Sequence, residues 1–134
     1  MTRAMVDDLM VQQQIKAPHK KWKHMVGVMC LNLTYRKQVK KLLPKLFKRY
    51  PNAVAFIRGR YNTQERMLRP LGMSTVRAKR MRQMSLDFLS WDRKDATDLH
   101  GIGKYGSDSY RIFYKNDIPK DVEDKELKRY INEL

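Results

Sequence analysis

The sequence predicts an all-α fold of many short helices, packed irregularly rather than as a regular bundle. Three observations carry this. Apolar residues recur at helical spacing almost throughout, no stretch alternates apolar and polar residues as a half-buried strand does, and the few glycines and prolines sit at plausible element ends. With 134 residues, 42% of them hydrophobic, the chain suffices for one compact domain around a modest core, and residues 1–134 are read as that domain.

The elements follow in order along the chain. Thr2 to Ile15 places Met5, Leu9 and Ile15 at near-helical spacing, and Ala17-Pro18-His19 breaks the pattern. Trp22 to Leu31 reads as a helix that is apolar on most sides, hence central. Arg36 to Tyr50 sets Val39, Leu42, Leu43, Leu46 and Phe47 on one face and Lys37, Lys40, Lys41, Lys45 and Lys48 on the other. Pro44 inside that pattern is expected to bend the helix or to end its first part. Asn52 suits the N-cap of a short helix through Val54 and Ile57. Asn62 or Thr63 starts the next helix, ending near Gly72, and Ser74 caps a longer one through Val76, Ala78, Met81, Met84, Leu86 and Leu89. Leu99 to Tyr114 forms a further stretch, Asn116 to Pro119 a loop, and Val122 to Leu134 the last helix.

Charge narrows the partner. There are 29 Lys and Arg against 14 Asp and Glu, a formal net charge of +15. A charge that large repels itself in the folded state and is commonly neutralised by a polyanion, so nucleic acid leads, ahead of a solvated basic surface or a ribosome-associated protein. The lysines between Lys37 and Lys48 fit either a solvated face or a second DNA contact. The single cysteine, Cys30, excludes an internal disulfide and any zinc or iron–sulfur site made of four cysteines of this chain. Lying in the apolar run Val26 to Leu31, it reads as a buried small hydrophobe. His19, His24 and His100 show no metal-ligand spacing, so no metal site is expected. No run reaches the roughly 18 apolar residues that span a bilayer, and the first residues lack the pattern of a signal peptide. The expectation is an intracellular monomer away from membranes and associated with DNA, in a nucleus, a nucleoid or a virus-infected cell.

The most informative stretch is Leu99-His100-Gly101-Ile102-Gly103-Lys104-Tyr105-Gly106. An apolar residue, then Gly-x-Gly, then a helix is the helix-hairpin-helix pattern, here taken to occupy residues 92–114. Gly101 and Gly103 are expected to permit a tight turn with positive φ. The bare N–H groups and the N-terminus of the following helix then face outward and suit a DNA phosphate. Ile102 turns back and pins the hairpin to the core, and Lys104 adds charge toward the same phosphate. A glycine-rich turn between two ordinary helices is the plainer alternative. A dinucleotide fingerprint is disfavoured because no strand precedes the turn and the third glycine is misplaced.

The stretch from Leu99 through Ser107-Asp108-Ser109-Tyr110-Arg111-Ile112-Phe113 closely resembles the hairpin of the helix-hairpin-helix DNA glycosylase superfamily, which includes endonuclease III. Within that superfamily it is most similar to the catalytic domain of the methyl-CpG-binding-domain thymine DNA glycosylase. Trp22 to Thr34 resembles the family's helix ending in Leu-Asn-x-Thr. Leu68-Arg69-Pro70-Leu71-Gly72-Met73 and Arg77-Ala78-Lys79 resemble its wedge loop and the helix after it, and Glu123-Asp124 with Leu127 and Tyr130 its catalytic segment. The likeness extends over residues 20–131.

The resemblance implies a two-lobed helical fold with its active site in the cleft, acting on duplex DNA. Asp124 stands where the family has its essential aspartate, among Lys125, Lys128 and Arg129; Asp121 and Glu123 are nearby competitors. Taken alone, an acid in the first turn of a helix simply favours the dipole. Tyr105 falls where strand-cleaving relatives carry a Schiff-base lysine, so the implied chemistry stops at base removal, and Tyr105 lines the base pocket or packs beside the turn. An extruded base leaves a hole; Met73 matches the apolar wedge that fills it, its alternative being a core methionine. Asn32 matches a polar residue that reaches the opposite strand, and Leu33 departs from the arginine common at its position. Arg77, Lys79, Arg80 and Arg82 follow the wedge toward the DNA backbone. No organic cofactor is implied, although hairpin carbonyls suit a monovalent cation. The expected activity is removal of uracil, thymine or a modified pyrimidine by a monofunctional glycosylase. The alternatives are a non-catalytic DNA-binding module and a phage enzyme of thymine hypermodification on the same scaffold.

Overall fold

The computed structural model describes residues 19–132, so the helix expected between Thr2 and Ile15 lies outside the described residues. The described chain is helical throughout, without strands. It runs α1 (Lys20–Leu31), α2 (Arg36–Arg49), α3 (Ala53–Arg58), α4 (Tyr61–Leu68), a 3-10 turn (Arg69–Leu71), α5 (Ser74–Ser90), a second 3-10 turn (Ala96–Asp98), α6 (Lys104–Tyr114) and α7 (Lys125–Asn132).

Helix α1 is central because its sequence leaves it little polar surface. Trp22, Met25, Val26 and Cys30 are all fully buried, and the helix touches α2, α5 and α6. The Trp22 indole donates to Ser85 Oγ on α5 at 3.0 Å, and its ring meets those of Phe47 and Phe56, each with centroids 6.0 Å away. Burial therefore brings no orphaned indole N–H. Cys30 is the buried hydrophobe that its sequence context suggested, and burial pushes its thiol up to about 12. His24, also buried, is satisfied at both ring nitrogens: Nδ1 pairs with Tyr114 Oη at 3.0 Å and Nε2 with Ser109 Oγ at 2.7 Å. Both partners lie on α6, so this network ties the helix after the hairpin to the core.

Helix α2 buries Val39, Leu42, Leu43, Leu46 and Phe47 and exposes Lys37, Lys41, Lys45 and Lys48. Pro44 neither ends nor divides it, for it lies on the solvent side of one continuous helix. Asn52 caps α3 as expected, its side chain accepting from Ala55 N at 2.8 Å.

Four expected boundaries are corrected. Helix α4 starts at Tyr61 with Arg60 as its cap, not at Asn62 or Thr63, because the fully buried Gln64 must face inward to donate to Phe56 O at 2.6 Å. Met73, not Ser74, caps α5; the Ser74 hydroxyl donates instead to Glu65 Oε2 at 2.6 Å. The first arm of the hairpin, expected as a helix within residues 92–114, is only the 3-10 turn Ala96–Asp98, held by the Asp95 carboxylate on Thr97 N at 2.9 Å, while α6 begins at Lys104, directly after the Gly-x-Gly as that pattern requires. Helix α7 begins at Lys125 rather than Val122, since Asp124 caps it through Leu127 N at 2.9 Å and Lys128 N at 3.0 Å. Val122 is instead buried in the segment before the cap. Leu127 is fully buried, and Tyr130 stacks on Phe113 of α6 with centroids 4.7 Å apart, which seats α7 on α6.

Candidate active site

A cleft of about 520 Å³ opens between the end of α1, the middle of α5 and the hairpin, and Asp124 lies on its wall with Gly101, Gly103 and Tyr105. The acid and the glycine turn, 21 positions apart in sequence (124 − 103), thus face one space. Asp124 Oδ2 is engaged by Leu127 N, while Oδ1 accepts no hydrogen bond among the described residues. The two competing acids are placed differently. Asp121 is 82% exposed and paired with Lys104, and Glu123 is exposed; neither lines the cleft.

The hairpin is built locally. Gly101 has φ +80°, and a Cβ there would come 2.9 Å from Met29 Cε, so only glycine fits without strain. Gly103 departs from expectation: its φ is −103°, open to any residue, and a Cβ would meet nothing within 4 Å. The space that its missing side chain leaves lies at the N-terminus of α6, where first-turn N–H groups lack helical partners. The N–H of His100 donates to Asp87 Oδ2 at 2.9 Å, which ties the turn to α5. Ile102 is buried and anchors the turn from beneath, away from the cleft.

Lys104 is less available to an incoming phosphate than its position suggested. Its ammonium pairs with Asp108 Oδ2 at 3.1 Å and Asp121 Oδ1 at 3.3 Å, and the hydrogen bond to Asp108, chiefly, raises its pKa. It thereby straps α6 to the segment that leads to Asp124.

Arg77 is the largest departure. Expected to reach the DNA backbone, it is buried, and its guanidinium donates to carbonyls: Nε to Gly72 O at 2.8 Å, Nη2 to Asn32 O at 2.8 Å, Nη1 to Met29 O at 3.2 Å and Nη2 to Leu71 O at 3.5 Å. Arg82 is likewise spent on Gly59 O at 2.9 Å, Ile57 O at 3.3 Å and Gln64 Oε1 at 2.9 Å. Of the basic residues of α5, Arg77 and Arg80 line the cleft, while Lys79 is exposed outside it.

Asn32 and Leu33 sit on the rim of the cleft, and Met73 stands exposed at the start of α5. Leu33 lines the cleft at the position where an arginine is common in the family resembled. The loop below Met73 is braced by Glu65, which accepts two bonds of 2.9 Å from Arg69 as well as the Ser74 hydroxyl; the Arg69 bond, first, holds the carboxyl down to about 2.

These helices carry the fold of a DNA glycosylase. They superpose on a thermostable thymine-DNA glycosylase with a TM-score of 0.64 at 17% identity, over 86% of this chain and 59% of that one. In sequence the chain is similar to the Methyl-CpG-binding domain protein 4-like protein of Arabidopsis thaliana, 33% identical over 95 residues that make up 71% of this chain and 21% of that protein. The chain therefore spans about a fifth of the curated relative it matches and less than two thirds of the solved structure. No protein-family model matches it. Both likenesses agree with the resemblance read from the hairpin and its flanking segments.

Proposed function

We propose that this chain is a monofunctional DNA glycosylase that binds duplex DNA as a monomer inside the cell and releases a flipped-out uracil, thymine or modified pyrimidine. The observation that carries the reading is the shared cleft: the Asp124 carboxylate and the Gly101–Gly103 turn line one space of about 520 Å³, within the size range of small-ligand sites. The turn and the N-terminus of α6 hold a phosphate beside the target, with Asn32, Met73 and Lys79 as further DNA contacts. The base, out of the stack, enters the cleft against Tyr105. As the C1′–N bond breaks, the electron pair leaves with the base and positive charge grows on the sugar. The Asp124 carboxylate stabilises that charge and orients the water that adds to C1′, its proton passing to solvent or to the leaving base.

Strand cleavage is not part of the proposal. It needs a neutral amine at the sugar, whereas Tyr105 has none and the neighbouring Lys104 is kept protonated by Asp108. By resemblance to the family, carbonyls of the hairpin would hold a monovalent cation.

The test is to incubate the protein with duplexes containing G·U, G·T or 5-hydroxymethyluracil and then treat them with hot alkali. Alkali-dependent cleavage is expected from the parent protein and is expected to fall about 100-fold or more in Asp124→Asn, an exchange that preserves the helix cap. Tight binding without product marks a DNA-binding module instead. A base of altered mass still attached to the strand marks a modification enzyme.

A further inference from the structure

The end of α1 remote from the cleft carries its own concentration of charge. Lys20 and Lys21 open α1, and Lys115 closes α6. Lys20 and Lys115 are exposed and Lys21 is half-buried. Their ammoniums converge on one pair of rings, Tyr110 and Tyr114, whose centroids are 5.4 Å apart. Lys21 Nζ lies 5.6 Å from the Tyr110 centroid and 5.8 Å from that of Tyr114. Lys115 Nζ lies 5.9 Å from the first ring and Lys20 Nζ 5.9 Å from the second. Arg93 adds a fixed positive charge beside them. Its carbonyl accepts from Tyr110 Oη at 2.8 Å, and its guanidinium donates to Phe88 O and Trp91 O.

No carboxylate answers this charge. None of the four residues has a salt bridge among the described residues. The acids nearest in sequence are engaged elsewhere: Asp92 accepts from Lys94 N at 2.9 Å, and Asp117 pairs with Arg111 at 2.7 Å. Like charges gathered in this way repel. Lys21 registers the repulsion, for its pKa is lowered first by burial and then by Lys115, Arg93 and Lys20. Helix dipoles do not account for the grouping, because Lys20 and Lys21 stand in the first turn of α1, the end at which cations are disfavoured. The rings hold the lysine stems and attract each cation, but only an anion among the ammoniums turns their mutual repulsion into attraction.

Resting on the reading that the cleft binds duplex DNA, we infer that Lys20, Lys21 and Lys115, set on the Tyr110–Tyr114 pair, form a second phosphate site that takes the backbone of another stretch of duplex DNA while the first occupies the cleft. About 17 Å of helix separates Lys20 from Leu31, and the cleft is lined from the far end of α1, by Val28, Met29 and Leu31. The ligand is phosphate rather than base, since Tyr110 is fully buried and offers no face for stacking. The contact is therefore blind to sequence. Its source is DNA because a protein already seated on one stretch meets the neighbouring stretches of the same molecule at high effective concentration. One copy of the chain then holds two segments at once.

The experiment loads the protein on a short bead-tethered duplex that contains a tetrahydrofuran abasic residue, then adds a free, fluorescent, undamaged duplex. No base is released, so the readout is independent of the glycosylase assay. The parent protein is expected to capture the free duplex. The triple variant Lys20→Gln, Lys21→Gln, Lys115→Gln is expected to load on the beads within about twofold of the parent but to capture at least about tenfold less. The matching Lys→Arg triple variant, which keeps the charges, is expected to restore capture. Reductive methylation of the loaded parent, read by mass spectrometry, is expected to slow about threefold or more at Lys20, Lys21 and Lys115 only once the free duplex is added. Loading without capture overturns this inference alone, whereas failure to load overturns the DNA-binding reading with it. Capture that survives the glutamine changes, as a dimer with one duplex per copy would give, also overturns it. So does protection of the three lysines by the tethered duplex alone, or capture of anionic lipid vesicles in place of the free duplex. Should the glutamine variant fail to fold, the methylation pattern of the parent decides.

Discussion

The hairpin at Leu99–Gly103 and the loop at Asn32–Leu33, which Arg77 couples to Gly72–Met73, both border the cleft; the hairpin and this loop pair both contain left-handed backbone, but they obtain it in different ways. The hairpin uses glycine at Gly101 and a neighbouring cap at Asp95, so the chain within a few residues favours its shape. The loop pair has a glycine too, Gly72 at φ +76°, but it also holds leucine and methionine in a backbone they disfavour, and it relies on Arg77, 45 positions from Asn32. A turn built from local preference is cheap to hold but offers only backbone. A turn held by a distant clamp is strained, yet it can present a large apolar side chain outward. The comparison teaches that the two contacts expected of this cleft, phosphate grip and base-stack entry, rest on different physical supports.

That contrast can be broken or sharpened by measurement. The largest effect on stability is expected from Arg77→Met, which leaves buried carbonyls of both loops without their donor; a loss of about 3 kcal/mol, seen as a fall in Tm of about 10 °C, checks it. A loss below about 1 kcal/mol would mean that the loops hold themselves. Next, Gly101→Ala is expected to destabilise by about 2 kcal/mol, through its positive φ, whereas Gly103→Ala leaves denaturant stability unchanged within about 0.5 kcal/mol and weakens duplex binding instead. Equal stability losses in the two variants would remove the distinction between a glycine kept for the turn and one kept for an incoming phosphate.

The effect that is smallest near neutral pH, and that grows only with acid, concerns the joint that carries the hairpin helix. His24 is buried between Ser109 and Tyr114, and burial lowers its pKa from 6.5 to about 3. Between those values the unfolded chain binds a proton that the folded chain refuses. Stability contributed by neutral His24 is therefore fully present above pH 6.5 and is lost as pH falls toward 3, by about 1 kcal/mol per pH unit. Urea unfolding at stepwise lower pH should show this slope, and His24→Gln should flatten it; an unchanged slope assigns the acid sensitivity to other groups.

Much of the fold was legible in the residues because helical periodicity is a local signal. The central α1, the two-faced α2 and the Asn52 cap emerged from spacing alone. The helix starts that misled are those where a tertiary demand outweighed local capping preference. Gln64 had to be buried, Ser74 was drawn to Glu65, and Asp124 took the cap of α7. The same division runs through the candidate site. Gly101 was readable from type and spacing, and Asp124 only through the resemblance of its segment to the family's catalytic one. The roles of Arg77 and Leu33 were not, since an arginine after a wedge loop reads as a DNA contact until its carbonyl partners are seen, and nothing in a leucine codon announces a left-handed backbone.

The sequence by itself determined an all-helical chain, a strongly basic one, and a glycine turn with a helix behind it, because each follows from residue type and short-range spacing; among the acids beyond that turn, it singled out Asp124 only through resemblance. Only the tertiary structure decided that the acid and the turn share one cleft, and that Arg77 spends its charge inward to hold two strained loops together. The physical reason is that burial and hydrogen-bond satisfaction are settled between segments distant in the chain, and neither is written in any one of them.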